Sequence, residues 1–225
     1  MLKVLSFDAS TTTIGISVIF CNDDFTSPAL LHYAYYKPPK TGNIFSRLTQ
    51  TKKDIKDVIE TSKPDLIFIE KYTSFMPGKS NAGTIISLAI LNRTVGLVCY
   101  DYNDLPPLML NVMSIRHGLK LNKTLPSKEE MPELVEKILG FKFNYVYDKE
   151  NVLIAETFDQ ADAIAVGLFG IKYLNKLQNS IAALKEKISI QTEKKKIRKY
   201  KKQLKELVFE FEEHTGIKVQ NEISK

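Results

Sequence analysis

Tryptophan is absent from the 225 residues, cysteine occurs twice, and no unbroken run of about 18 apolar side chains exists. Lack of such a run argues against a spanning helix, and no membrane partner is expected. Cys21 and Cys99 lie in apolar stretches without metal-ligand spacing. That excludes a disulfide framework or a zinc pair and predicts two reduced core thiols in an intracellular protein. Lys3 brings a charge too early for the apolar core of a secretion signal, so Met1–Asp8 reads as a strand. With 44% hydrophobic and 26% charged residues, intrinsic disorder and a collagen-like fibre are excluded for most of the chain. Arginine is scarce as well, four against 28 lysines. This ratio suits an AT-rich genome. With the small size it suggests a phage or low-GC bacterial source, and a cytoplasmic setting in a bacterial cell or a phage-infected host.

What is present in excess is positive charge, and it is confined to one end. Residues 1–169 hold 18 basic and 19 acidic side chains, whereas residues 170–225 hold 14 basic and 7 acidic. Between Lys185 and Lys205 ten basic residues face only Glu186 and Glu193. Such a run is either a solvated helix face or a patch that meets a polyanion, nucleic acid being the commonest.

Along the chain, Leu2–Asp8, Ile14–Cys21 and Leu30–Tyr36 read as strands, and the short link Ala9–Thr13 makes the first two a hairpin. Apolar residues at Ile44, Phe45, Leu48, Ile55, Val58 and Ile59 have helical spacing, stopped by Pro64. Asp65–Glu70 is a short apolar run suited to a buried strand. A loop over Tyr72–Asn81 precedes a helix from Ala82 to about Tyr102, and Leu108–Val112 is a further strand. Capping boxes at Ser127–Glu130 and Thr157–Gln160 start a helix ending at Gly140 and another ending near Leu177. Beyond it, one or two amphipathic helices carry the basic run. The expected architecture is α/β: a domain over residues 1–178 with a mixed five-stranded sheet flanked by helices, then a basic helical extension over 179–225.

Four acids stand where chemistry would need them. Asp8 ends the first strand and Glu70 the fourth. Asp159 and Asp162, three apart, share one helix face, with Asp159 expected in the first turn, where the helix dipole favours an anion. If the two strands are neighbours, their acids meet at one sheet edge. Each carboxylate pair at 4 Å would repel by about 4 kcal/mol at an effective dielectric of 20. Hard divalent cations cancel that repulsion, and a pair of them can drive phosphodiester hydrolysis. Taken singly, each acid is equally a cap or a surface charge.

These residues carry a resemblance. Leu5-Ser6-Phe7-Asp8-Ala9-Ser10-Thr11-Thr12-Thr13-Ile14-Gly15 is similar to the opening of RuvC-like Holliday junction resolvases. Ile67-Phe68-Ile69-Glu70 resembles their second acidic motif, and Asp159-Gln160-Ala161-Asp162-Ala163-Ile164-Ala165 their last and most specific one. The resemblance spans residues 1–177. It implies an RNase H-like fold, a homodimer, and paired nicks in a four-way DNA junction. Two Mg²⁺ ions per site are implied, replaceable by Mn²⁺ and held by Asp8, Glu70, Asp159 and Asp162. Arg116 within Ile115–Leu119, where the family more often has Lys, and Lys128 at a helix start match the family's basic positions near the scissile phosphate. Lys120 and Lys123 share their loop and could meet backbone phosphate. His117 reads as a surface histidine. Tyr72 and Phe75 are both candidates for the aromatic that wedges against unstacked junction bases, or for loop anchors. Lys195, Arg198 and Lys199 represent the tail, which departs from the family. It would lengthen the dimer interface, bind DNA flanks or recruit a partner.

Other readings keep parts of this pattern. An actin- or sugar-kinase-like nucleotide protein shares the Asp-then-hydroxyl loop but needs a second, duplicated phosphate loop, and none is seen. No nucleotide cofactor is therefore expected. A non-catalytic DNA-binding relative would not need all four acids. The same nuclease could act on forks, flaps or RNA–DNA hybrids.

Overall fold

The computed structural model describes residues 1–72 and 82–219. A five-stranded sheet is built from β1 (Leu2–Ala9), β2 (Ile14–Cys21), β3 (Ala29–Tyr36), β4 (Leu66–Lys71) and β5 (Leu108–Asn111) in the order β3-β2-β1-β4-β5. The first three strands form the expected antiparallel meander, while β4 and β5 join parallel to β1. Ser10 closes the β1–β2 turn. Its hydroxyl accepts from the Thr13 amide at 3.0 Å and its own amide donates to the Thr13 carbonyl.

Alternation along the strands divides the core into two layers. Val4, Leu66, Phe68, Leu108 and Leu110 point to one face, where α5 (Ala155–Ile190) lies across the sheet with Ile164, Leu168 and Ile171 buried. Leu5, Phe7, Ile67 and Ile69 point to the other, under α1 (Ile44–Ser62) and α2 (Ala82–Asn103), which bring Ile55, Ile59, Leu91, Val95 and Cys99. The same period of two sends Ser6 and then Asp8 toward α5. Glu70, two residues after Phe68, follows them. Cys21 and Cys99 are free buried thiols, and burial pushes both up, Cys21 to about 11.

Four boundaries differ from expectation. Asn111 ends β5 and caps the next helix directly, its side chain accepting from the Met113 amide at 2.8 Å, so α3 (Val112–Leu119) occupies what read as strand end and loop. The Ser127 box keeps one half of its bonding, Glu130 accepting from the Ser127 amide at 2.7 Å, yet α4 (Met131–Leu139) begins later, where Pro132 stands in its first turn. The Thr157 box does not form: α5 starts two residues earlier, and the Thr157 hydroxyl is buried. Finally, α5 does not stop near Leu177 but runs 36 residues, so the expected boundary at 178/179 lies inside one helix. Ile181, Leu184 and Ile188 thus belong to α5, and α6 (Lys194–Thr215) folds back on it. Leu204, Val208 and Phe211 of α6 are buried in the α5-side core, with Phe211 edge-on to Phe25 at 5.9 Å.

Among the described residues one helix, α2, is long and apolar enough to qualify by length and composition alone as a membrane span, despite Arg93 within it. It escaped the sequence rule because polar residues interrupt its apolar run. One of its stripes is packed on the sheet.

Candidate active site

The parallel register of β1 and β4 pairs Phe7 with Ile69, so the next step sets Asp8 beside Glu70 at the carboxyl ends of both strands. Ligands of α/β sheets collect at this end. On β2, Gly15 pairs with Asp8. A Cβ built on Gly15 would lie 2.0 Å from the Asp159 carbonyl oxygen, so only glycine lets α5 descend onto the sheet here. Buried hydroxyls fix the next turn of the helix. Ser6 Oγ and Ser17 Oγ lie 2.9 Å and 3.2 Å from the Ala163 carbonyl oxygen and 2.6 Å from each other, so one hydroxyl donates to the carbonyl and the other to its neighbouring hydroxyl.

The consequence is a tight carboxylate group. Among the described residues, Asp8, Asp159 and Asp162 bring one oxygen each within 4.8 Å of one another. Glu70 stands just outside that group and acts on it electrostatically. Burial, then the charges of Glu70, Asp162 and Asp159, push the Asp8 carboxyl well above the usual range. Burial and Asp162 push Glu70 up to about 8, against the pull of Arg116 and Lys128. Burial raises Asp162 to about 6, again opposed by Lys128 and Arg116. So much negative charge in one half-buried place calls for a cation. Lys128 supplies one: its Nζ is 2.7 Å from Asp159 Oδ1 and 3.8 Å from Asp162 Oδ2. Burial lowers the Lys128 ammonium, but the bond to Asp159 and the surrounding charges outweigh this and raise it. A set of oxygen donors only, crowded and mutually repelling, fits a hard divalent ion.

The other expected residues fall in several places. Arg116, from α3, is close enough to lower both Glu70 and Asp162, and its buried Nε has no hydrogen-bond partner among the described residues. Lys120, Lys123 and His117 are exposed on or after α3. The Tyr72 ring lies under the Arg93 guanidinium, 5.8 Å from its centroid. Phe75 lies outside the described residues. Lys195, Arg198 and Lys199 are exposed on α6, away from the carboxylates. The position expected for Asp159 in the first turn of α5 belongs to Glu156, which pairs with Lys37. Sequence reading missed the Ser6–Ser17–Ala163 bonding, though both serines stand in apolar strands, the one signal available. It also missed a cleft of about 690 Å³ beside the β1–β2 turn, lined in part by Thr11, Thr12, Lys40 and Arg47.

No family model matches the chain. It is 26% identical over 167 residues to the crossover junction endodeoxyribonuclease RuvC of Dehalococcoides mccartyi, covering 74% of this chain and 90% of that protein. The RuvC of T. thermophilus, solved in complex with a Holliday junction substrate, superposes with a TM-score of 0.55 at 20% identity, covering 75% of this chain and 92% of that one. The yeast mitochondrial Holliday junction resolvase Ydc2 gives 0.55 at 17% identity, over 76% and 78%. The chain is thus similar in sequence to a RuvC crossover junction endodeoxyribonuclease and shares with solved Holliday junction resolvases an α/β fold, here a mixed five-stranded sheet flanked by helices.

Proposed function

We propose that the protein is a divalent-metal-dependent endonuclease that resolves four-way DNA junctions as a homodimer, in DNA recombination and repair. The observation that carries this reading is the carboxylate group of Asp8, Asp159 and Asp162, with Glu70 beside it, in a RuvC-like frame. Mg²⁺ ions held by these four acids, or Mn²⁺ in their place, would supply an activated water and neutralise charge on the phosphodiester. Around them the chain's own groups have separable tasks. Asp8 and Glu70 are fixed by strand register, and Asp159 and Asp162 by the seat of α5 on Gly15. Lys128 holds the two α5 carboxylates toward the centre. Arg116 presents a cation whose Nε is unspent in the fold, suited to a phosphate oxygen. In-line attack leaves a 5′-phosphate and a 3′-hydroxyl. The cleft beside Thr11 and Arg47 offers hydroxyls and cations to the strand leading to the site. Lys120 and Lys123 add further phosphate contacts, and Tyr72 an aromatic face near the crossover. A dimer places two such sites on opposite strands. We place this activity in the cytoplasm of a bacterial cell or phage-infected host.

The test is a nicking assay with Mg²⁺ on a labelled four-way junction, a Y-fork and linear duplex, beside Asp159→Asn. Symmetric junction cuts, lost in the variant, are the expected result. Preference for the fork would change the substrate, and binding without cutting under either metal would overturn the nuclease reading.

A further inference from the structure

Helix α6 lies beyond the 1–177 stretch that resembles the resolvases. Its apolar stripe, Ile197, Tyr200, Leu204, Val208 and Phe211, turns inward, and Leu204, Val208 and Phe211 are buried. Lys195, Arg198, Lys199 and Lys202 recur at intervals of three and four on the opposite, exposed side. Lys195, Arg198 and Lys199 form no ion pair among the described residues, whereas Lys196 is taken by Glu193 and Lys202 reaches Glu206 at 4.0 Å. The first turn of α6 holds no acid, only Lys194, Lys195 and Lys196, so cations are concentrated at the end where the helix dipole is already positive. A fold gains nothing from this arrangement by itself. A polyanion does.

Its position relative to the carboxylates selects the occupant. Tyr173 of α5 donates to Glu210 of α6, which fixes the register of the two antiparallel helices. Counting back from Glu210, Lys199 stands level with Leu184 and Lys195 with Ile188. These lie 22 and 26 residues beyond Asp162 on one unbroken helix. At 1.5 Å per residue the basic face is about 33–39 Å from the carboxylate centre. One turn of duplex DNA spans about 34–36 Å. We infer that α6 is a duplex-arm clamp, gripping the phosphate backbone of a junction arm about one helical turn from the site of cutting. This rests on the junction-resolving reading above. Residues 195, 198 and 199 hold the arm electrostatically and read no sequence.

The experiment measures binding by the full-length Asp8→Asn protein, with chelator present, to four-way junctions whose arms extend about 6, 12 or 18 base pairs. Affinity is expected to rise between 6 and 12 base pairs and then level off. Lys195→Gln/Arg198→Gln/Lys199→Gln should abolish that rise and lower the salt slope of the dimer by about 5, close to one contact for each charge removed from the two subunits. Lys195→Arg/Lys199→Arg should keep both, and a matched circular-dichroism melt shows that α6 is still folded. A Gln variant that keeps the arm-length rise overturns the clamp. Cleavage on the same junctions is scored separately with Asp8 intact. Loss of junction cutting with the arm-length rise preserved would sink the resolvase reading and leave the clamp standing.

Discussion

At the scale of single residues the site is a balance of like charges. Asp8→Asn removes one carboxylate from the group and should cut junction cleavage by about 10²–10³-fold or more, the size expected when charge-stabilising machinery is lost. Junction binding should persist or tighten, because one repulsive charge near the phosphate is gone. Normal cleavage by this variant, measured in single turnover, would disprove its role as a ligand. The metal-free protein should also show the strain directly. Asp162 is raised from 3.8 to about 6 and Glu70 from 4.5 to about 8, mainly by burial. In that window the folded state holds protons that the unfolded chain has released, so stability falls as pH climbs from about 4 to about 8. For Asp162 alone the loss is on the order of 3 kcal/mol. Thermal melts with chelator over pH 5–8 should show this decline. Asp162→Asn should flatten its lower part, and Mg²⁺ added at pH 8 should restore melting temperature by mass action. A melting temperature that climbs with pH instead would mean the carboxylates are not crowded. The four acids were legible because each ends a readable strand or repeats at helical spacing. Lys128's bond to Asp159 was not, since 31 residues separate them and no local pattern records which carboxylate a lysine will meet.

At the scale of elements, the site depends on how closely α5 approaches β1 and β2. Gly15→Ala would drive a Cβ into the Asp159 backbone, 2.6 Å from its carbonyl carbon as well as 2.0 Å from the oxygen. Backbone cannot rotate away, so the first turns of α5 must lift. We expect a loss of about 1–3 kcal/mol in stability and a larger fractional loss in cleavage, because Asp159 and Asp162 move off Asp8 together. Gly140→Ala is the control. Its φ of +67° penalises alanine by about 1 kcal/mol, but nothing lies within 4 Å of the added atom, and cleavage per folded molecule should hold. Equal activity losses in the two would show that Gly15 matters only for folding. Strand alternation and the β1–β2 hairpin were legible because they are local. Where α5 begins and ends was not. Thr157 has the composition of a cap, but tertiary packing buries it and starts the helix at Ala155. The stop expected near Leu177 failed because α6 covers Leu177 and Ile181 and makes continuation favourable.

At the scale of the whole molecule, α2 presents an unusual surface. One stripe, Leu91, Val95, Val98 and Cys99, is buried against the sheet. The opposite stripe, Ile86, Ile90, Leu97 and Tyr100, is open, with Leu97 56% and Ile86 58% exposed. That is why a helix packed on the sheet of an α/β fold also satisfies the composition of a membrane span. Contiguous exposed apolar patches recur at association sites. A second copy of the same helix, related by a two-fold axis, would cover it with identical chemistry. If the proposed homodimer forms through this stripe, Ile90→Asp/Leu97→Asp should convert it to a monomer in analytical ultracentrifugation while leaving the core melt nearly unchanged, since neither side chain is in the buried stripe. The kinetic consequence separates this interface from a crowding artefact. A dimer nicks both strands within the lifetime of one complex, whereas the monomeric variant should release singly nicked junctions and make the second cut only after rebinding. A supercoiled cruciform plasmid reports the difference, linear product for paired nicks and open circles for isolated ones. A double variant that keeps the oligomeric state of the parent, or still yields linear product at the parent's rate, would overturn α2 as the dimer interface.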